Sequence, residues 1–261
     1  TRCSRDWSSD VCSSDLPNSR YYKQNNFNFN YKKEIMPLLY KSDSNMQNII
    51  LLTTGSFNPI HRMHLEILNI AYKYLLSFKK YNVLCAFISP SCDNYVKTKQ
   101  PPLIPFNLRC QMIQASIEEF NNENKNKGNN TVDIKIHKWE GSQEEFIDFP
   151  YVIKAIQKQL YPFGDIKLLY VCGMDHYNKC KNDLESNVIV VDRKPFKSQK
   201  YDNIESKMVF FVRDEYSEPI SSTSIREFYK KGDYNSIKKA TFKNVDKMIV
   251  EFYNQHKKEF E

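Results

Sequence analysis

From residue 48 onward, short apolar runs of strand length alternate with stretches of helical periodicity, and this alternation restricts the chain to few architectures. The runs fall at residues 48–53, 83–88, 132–136, 166–172, 188–191 and 208–212. Leu168, Leu169, Tyr170 and Val171 are consecutive, which suits a strand covered on both faces. Residues 63–78 place Ile67, Ala71, Leu75 and Phe78 on one helical stripe, and residues 106–120 do the same with Met112, Ile113 and Ile117. Residues 121–130 are polar, contain Gly128 and read as an exposed loop. A helix capped by Ser222 and ending at Gly232 is expected, then a last amphipathic helix over 245–256. The expected fold class is α/β: one domain with a Rossmann-like, doubly wound parallel sheet in three α/β/α layers. Ligands would then bind at the carboxyl ends of the strands, where the strand order reverses.

The first run leads into Gly55-Ser56-Phe57-Asn58-Pro59-Ile60-His61-Arg62-Met63-His64, which reads as strand, tight turn and helix start. Free N–H groups and the positive end of a helix dipole suit polyphosphate there. Gly55 permits close backbone approach to a ligand. His61 and His64 are three residues apart and share one side of the first turn. Such a pair also occurs as a metal pair or as two ordinary polar residues. Lys97 reads equally as a solvated lysine, Arg109 as a surface arginine, and Trp139 as a core residue.

The decapeptide resembles the (H/T)xGH signature of the nucleotidyltransferase superfamily, and its GSFNP wording is similar to eukaryotic nicotinamide/nicotinate mononucleotide adenylyltransferases. Further segments follow in the family's order: Ile88-Ser89-Pro90 with Asp93, Tyr95 and Lys97, then Cys172-Gly173-Met174-Asp175, then Ile220-Ser221-Ser222-Thr223-Ser224-Ile225-Arg226. The resemblance covers residues 48–256. It implies transfer of the adenylyl group of ATP to nicotinamide or nicotinate mononucleotide, with pyrophosphate released and NAD or deamido-NAD formed. Another nucleotidyltransferase, such as a pantetheine-phosphate adenylyltransferase or a cytidylyltransferase, and a non-catalytic nucleotide-binding module are the alternatives.

The resemblance also assigns roles. His64 contacts the α-phosphate and His61 the other phosphates, with Lys97 and Arg226 completing the catalytic group. Gly55, Ser56, Phe57, Gly173, Asp175, Arg193, Ser221, Ser222 and Thr223 are expected at ATP. Ser56, Asn58, Lys97, Arg109, Trp139 and Glu140 are expected at the mononucleotide, with the indole stacking on the pyridine ring. The family's second stacking tryptophan has no counterpart in 174–187, where Tyr177 is the substitute considered. No metal cluster is expected; magnesium would arrive with ATP.

A formal charge of +7 fits a phosphate-rich ligand, yet the Lys and Arg residues are too scattered for a nucleic-acid face. Seven cysteines, an odd number without a CxxC pair, argue against a zinc knuckle and a complete disulfide framework. A reducing, intracellular setting is expected, cytoplasmic or nuclear. No apolar stretch approaches the ~20 residues of a membrane span, so no membrane partner is expected. A homo-oligomer is compatible with the sequence, which leaves the oligomeric state open. Residues 1–45 carry Ser-Ser-Asp twice and an Asn- and Tyr-rich tract, and are expected to be disordered or non-native. Trp7 is accordingly not expected to be functional, and residues 46–261 are expected to form the catalytic domain.

Overall fold

The computed structural model describes residues 29–98, 101–194, 201–214 and 220–260. Six strands, β1 (Gln47–Gly55), β2 (Tyr81–Pro90), β3 (Ile134–Ile136), β4 (Ile166–Gly173), β5 (Val188–Arg193) and β6 (Val209–Asp214), form one sheet in the order β3-β2-β1-β4-β5-β6. Every neighbouring pair is parallel. The chain winds outward from β1 to β3, then returns to the other side of β1 for β4. The order therefore reverses between β1 and β4, whose carboxyl ends are Gly55 and Gly173.

Alternation along each strand explains the three layers. Ile49 and Leu51 of β1 and Leu169 and Val171 of β4 pack into one apolar cluster, against helices α2 (Arg62–Ser77), α4 (Phe106–Asn126), α7 (Ser222–Lys230), α8 (Tyr234–Ala240) and α9 (Lys243–Gln255). Ile50, Leu52, Leu168 and Tyr170 face the opposite way, onto α1 (Tyr31–Leu39), α5 (Phe149–Leu160) and α6 (Met174–Cys180). A short helix, α3 (Asp93–Val96), follows β2. Both faces are buried, which accounts for the continuous apolar runs.

Several expectations need correcting. The boundary at residue 46 is displaced, because α1 belongs to the domain: Ile35 is fully buried, and Tyr31 Oη bonds His137 Nε2 at 2.7 Å. Its nine residues bury only Tyr31 and Ile35, one turn apart, too few to register as a period. Residues 1–28, including Trp7, lie outside the described residues. Helix α4 continues into the stretch read as a loop, up to Asn126. Arg62 holds this extension by bonding both oxygens of Glu123 at 2.7 and 2.9 Å. The turn at Gly128, with φ +70°, follows the helix. The N-cap of α7 is Ser221, one residue before the expected Ser222, and α8 stands where no element was anticipated.

Candidate active site

The carboxyl end of β1 delivers the motif loop to the switch point. Gly55 lies in register with Pro90, and the Ser91 N–H donates to its carbonyl at 2.9 Å. Phe57 adopts φ +46°, a left-handed conformation that costs a non-glycine residue ~1 kcal/mol or more. Its ring folds back over Gly55, where a Cβ would stand 3.3 Å from Phe57 Cζ. The same ring meets His64 edge-on, 4.8 Å between centroids. The side chain of Phe57, a residue expected at ATP, is buried against Gly55 and His64.

Asn58 is likewise turned inward. Its side chain is buried, accepts from the Ile104 N–H at 2.9 Å and donates to the Pro102 carbonyl at 3.2 Å. Both ends of the amide are used within the protein, so Asn58 ties the loop down instead of facing a mononucleotide.

His61 caps α2, and its backbone N–H donates to His64 Nδ1 at 3.1 Å. The two rings stack with centroids 3.6 Å apart at 26°. Burial, with the charge of Arg193 adding to it, pushes His64 down to about 3. Burial, then His64 and Arg193, holds His61 well below the ordinary histidine range. Both imidazoles are therefore neutral at physiological pH. Because His64 Nδ1 accepts a hydrogen bond, the proton of the neutral ring sits on Nε2, leaving that N–H as a donor. Two buried polar atoms in this neighbourhood, His61 Nδ1 and Arg193 Nη1, have no hydrogen-bond partner among the described residues. Unpartnered buried groups of this kind are uncommon and concentrate at functional sites.

Helix α7 clamps the same loop from far along the chain. Ser222 Oγ donates to the Pro59 carbonyl at 2.8 Å, and Arg226 Nη1 donates to the Asn58 carbonyl at 2.6 Å. Arg226 Nη2 reaches Thr223 Oγ1 at 3.1 Å. Ser221 Oγ accepts from the Ser224 N–H at 3.0 Å. The hydroxyls of Ser221 and Ser222 are thus engaged in building the clamp. Gly55, the two histidines and Arg226 converge on one loop.

The opposite wall is organised by Arg109, which is fully buried. Its guanidinium donates to the carbonyls of Ile104 (3.0 Å), Ser56 (2.8 Å) and Ser91 (2.8 Å) and to Asp93 Oδ1 (2.9 Å). This corrects its expected place at the mononucleotide: Arg109 joins three loops and keeps no face open to a ligand. Ser56 is half-buried beside it. Lys97 caps α3 and is exposed, with Nζ 3.4 Å from Asn94 Oδ1. Trp139 is buried in the cluster beneath α5, so the expected stacking face is covered in this structure. Glu140 is also buried and accepts from Ser89 Oγ at 2.7 Å. Burial pushes its carboxyl up to about 7, against the hydrogen bonds of Ser89 and Ser91 and the charge of Arg109.

Gly173 ends β4 with an ordinary φ of −80°, and a Cβ added there would meet nothing within 4 Å. Neither strain nor packing demands glycine, and its surface opens at the switch point. Asp175 is exposed in the first turn of α6. Tyr177, considered as a second aromatic wall, instead packs edge-on against Tyr201 and Phe211 at 5.9 and 5.2 Å. Sequence reasoning passed over a polar chain across the switch point: Thr54 Oγ1 lies 2.9 Å from Tyr170 Oη, which lies 3.4 Å from His176 Nε2. The signal available was position: Thr54 is the penultimate residue of β1, and Tyr170 and His176 lie three residues before and after the end of β4.

A nicotinamide/nicotinic acid mononucleotide adenylyltransferase 1 from Bos taurus is 30% identical over 118 residues, 45% of this chain and 37% of that protein. A nicotinamide/nicotinic acid mononucleotide adenylyltransferase from Arabidopsis thaliana is 27% identical over 132 residues, 49% of each chain. The chain thus spans at most about half the length of either relative. Solved structures of Plasmodium falciparum nicotinic acid mononucleotide adenylyltransferase, complexed with APC and with NaAD, superpose with TM-scores of 0.55 and 0.53. They are 21% and 20% identical, covering 78% and 79% of this chain and 95% and 96% of theirs, and so bear on the fold. Residues 52–228 match the family described as Cytidylyltransferase-like, more than half of the chain, and the protein belongs to that family.

Proposed function

We propose that the protein is an adenylyltransferase that joins ATP to nicotinamide or nicotinate mononucleotide, forming NAD or deamido-NAD and releasing pyrophosphate. The observation that carries this reading is the convergence of the stacked His61–His64 pair and Arg226 on the loop from Gly55 to Pro59. The names of the curated relatives support the choice of substrates.

In this reading the 5′-phosphate oxygen of the mononucleotide attacks the α-phosphorus in line, and the P–O bond to pyrophosphate breaks. The attacking phosphate is already nucleophilic, so the protein has to position the groups and spread the developing charge. His64 Nε2–H donates to an α-phosphate oxygen. His61, Arg193 and the N–H groups at the start of α2 receive the remaining phosphates, a neutral imidazole offering one ring N–H as donor. Lys97 reaches the phosphates from the α3 loop, while the first turn of α7, at Ser222 and Thr223, supplies further N–H donors. Gly173 admits the nucleoside at the switch point, and Asp175 receives its hydroxyls.

Among the described residues no group of three or more His, Cys, Asp or Glu could hold a metal ion. Magnesium would enter on the phosphates of ATP.

The test is pyrophosphate release and dinucleotide formation from magnesium-ATP with each mononucleotide in turn. Turnover with one or both is expected, and absence of product with either would reject the reading. His64→Ala should lower turnover about 100-fold with the fold retained, the scale of a lost transition-state donor. Near-normal turnover in folded His64→Ala would remove His64 from this role.

A further inference from the structure

Helices α8 and α9 enclose a groove of about 700 Å³ on the domain surface, far along the chain from the motif loop and lined by none of the residues placed in the catalytic cleft. This volume lies within the range of small-molecule sites. Its lining includes Tyr234, Lys238, Asp246, Lys247, Val250 and Asn254.

Asp246 is the anomaly. It is only 6% exposed, and its Oδ1 is buried with no hydrogen-bond partner among the described residues. Burying a carboxylate oxygen without a donor is unfavourable, and proteins seldom keep such a group without a use for it. Around it the groove is mixed. Val250 and the Tyr234 ring, 44% exposed, offer an apolar wall; Lys238 and Lys247 are exposed cations on successive helices, and they outnumber the one exposed carboxylate of the lining, Glu251. A simple cation would satisfy Asp246 and be repelled by the lysines; a simple anion would do the reverse. The complementary ligand carries a flat apolar body, an N–H donor and an anionic group.

We propose that this groove binds a purine mononucleotide. The exocyclic amine or ring N–H of the base donates to Asp246 Oδ1, the base packs on Tyr234 and Val250, and the phosphate is held by Lys238 and Lys247. The groove is joined to the clamp helix. Asn254 Oδ1 accepts from Tyr229 Oη of α7 at 2.8 Å, and the Tyr229 ring meets Tyr234 edge-on, one turn beyond Arg226. The proposal does not rest on the reaction proposed above, because none of these residues belongs to that site.

Photolabelling with 8-azido-AMP, followed by peptide mapping of the full chain, tests it. Label within 234–255 is expected, alongside any label in the motif loop. Val250→Trp, which fills the groove, should abolish the groove label and leave the other intact. Lys238→Glu with Lys247→Glu, both exposed, should weaken groove binding at least about tenfold, the scale of one charge-assisted hydrogen bond. This pair serves if Val250→Trp does not fold. Equilibrium dialysis with AMP should lose one bound nucleotide per chain in either variant. Label confined to the motif loop and 221–226, or unchanged groove labelling in both variants, would overturn the proposal.

Discussion

Arg109→Met offers the sharpest separation between a side chain that builds the site and one that touches ligand. The methionine keeps most of the apolar stem of the arginine and removes the guanidinium, which is fully buried and makes four hydrogen bonds. Three of the acceptors are carbonyls, of Ile104, Ser56 and Ser91, and they lose their donor together. The fourth, Asp93, has a side chain 47% exposed and can be rehydrated at little cost. Each abandoned buried acceptor costs ~1–3 kcal/mol. Water entering the cut should bring the three together to roughly 3–6 kcal/mol, a large share of the ~5–15 kcal/mol that holds a domain folded. Denaturant unfolding measures this as a fall in midpoint at constant slope. Arg109→Lys should recover only part of the loss, because an ammonium cannot reproduce a planar fork aimed at three loops. A folded Arg109→Met protein within ~1 kcal/mol of the parent, with a raised KM for the mononucleotide alone, would refute this and return Arg109 to ligand contact.

Three further outcomes are expected. Burial raises the Glu140 carboxyl from 4.5 to about 7, so the native state holds the proton more tightly than the unfolded chain. Its stabilising effect is complete below pH 4.5 and is lost as pH rises through about 7. Glu140→Gln should therefore flatten the stability profile across that window relative to the parent, and an unchanged difference between the two proteins would contradict the argument. Gly141→Ala should destabilise by at least ~1–3 kcal/mol in thermal unfolding, because a Cβ would stand 2.0 Å from Phe106 Cε2 and 2.5 Å from the Pro90 carbonyl. Trp139→Ala should cost about 3–5 kcal/mol by the same assay, as for a core aromatic. A loss below ~1 kcal/mol would mean that the indole is not structural.

The order of elements and the parallel class were legible because they rest on local chemistry. Two-residue alternation and continuous apolar runs mark strands whichever partner they find, and six runs separated by helical stretches admit few topologies. The motif loop was legible for the same reason: a glycine, a turn and two histidines on one helical turn lie within ten residues. Local signals also misled where too few residues carried them, as in α1, with two buried side chains, and in the polar end of α4, held by Arg62.

What the tertiary structure alone decided was the availability of each polar side chain. Arg109 and Arg226 are both arginines on helices close to motif residues, and nothing in the string shows that both turn inward. Packing does: one is enclosed among three carbonyls from separate loops, and the other, also buried, reaches across 168 positions to the Asn58 carbonyl. Asn58 and Phe57 lie inside the most telling decapeptide of the chain and yet turn inward. Which donors remain for a ligand depends on where distant backbone carbonyls end up, and that is fixed only when the sheet and its two helical layers close.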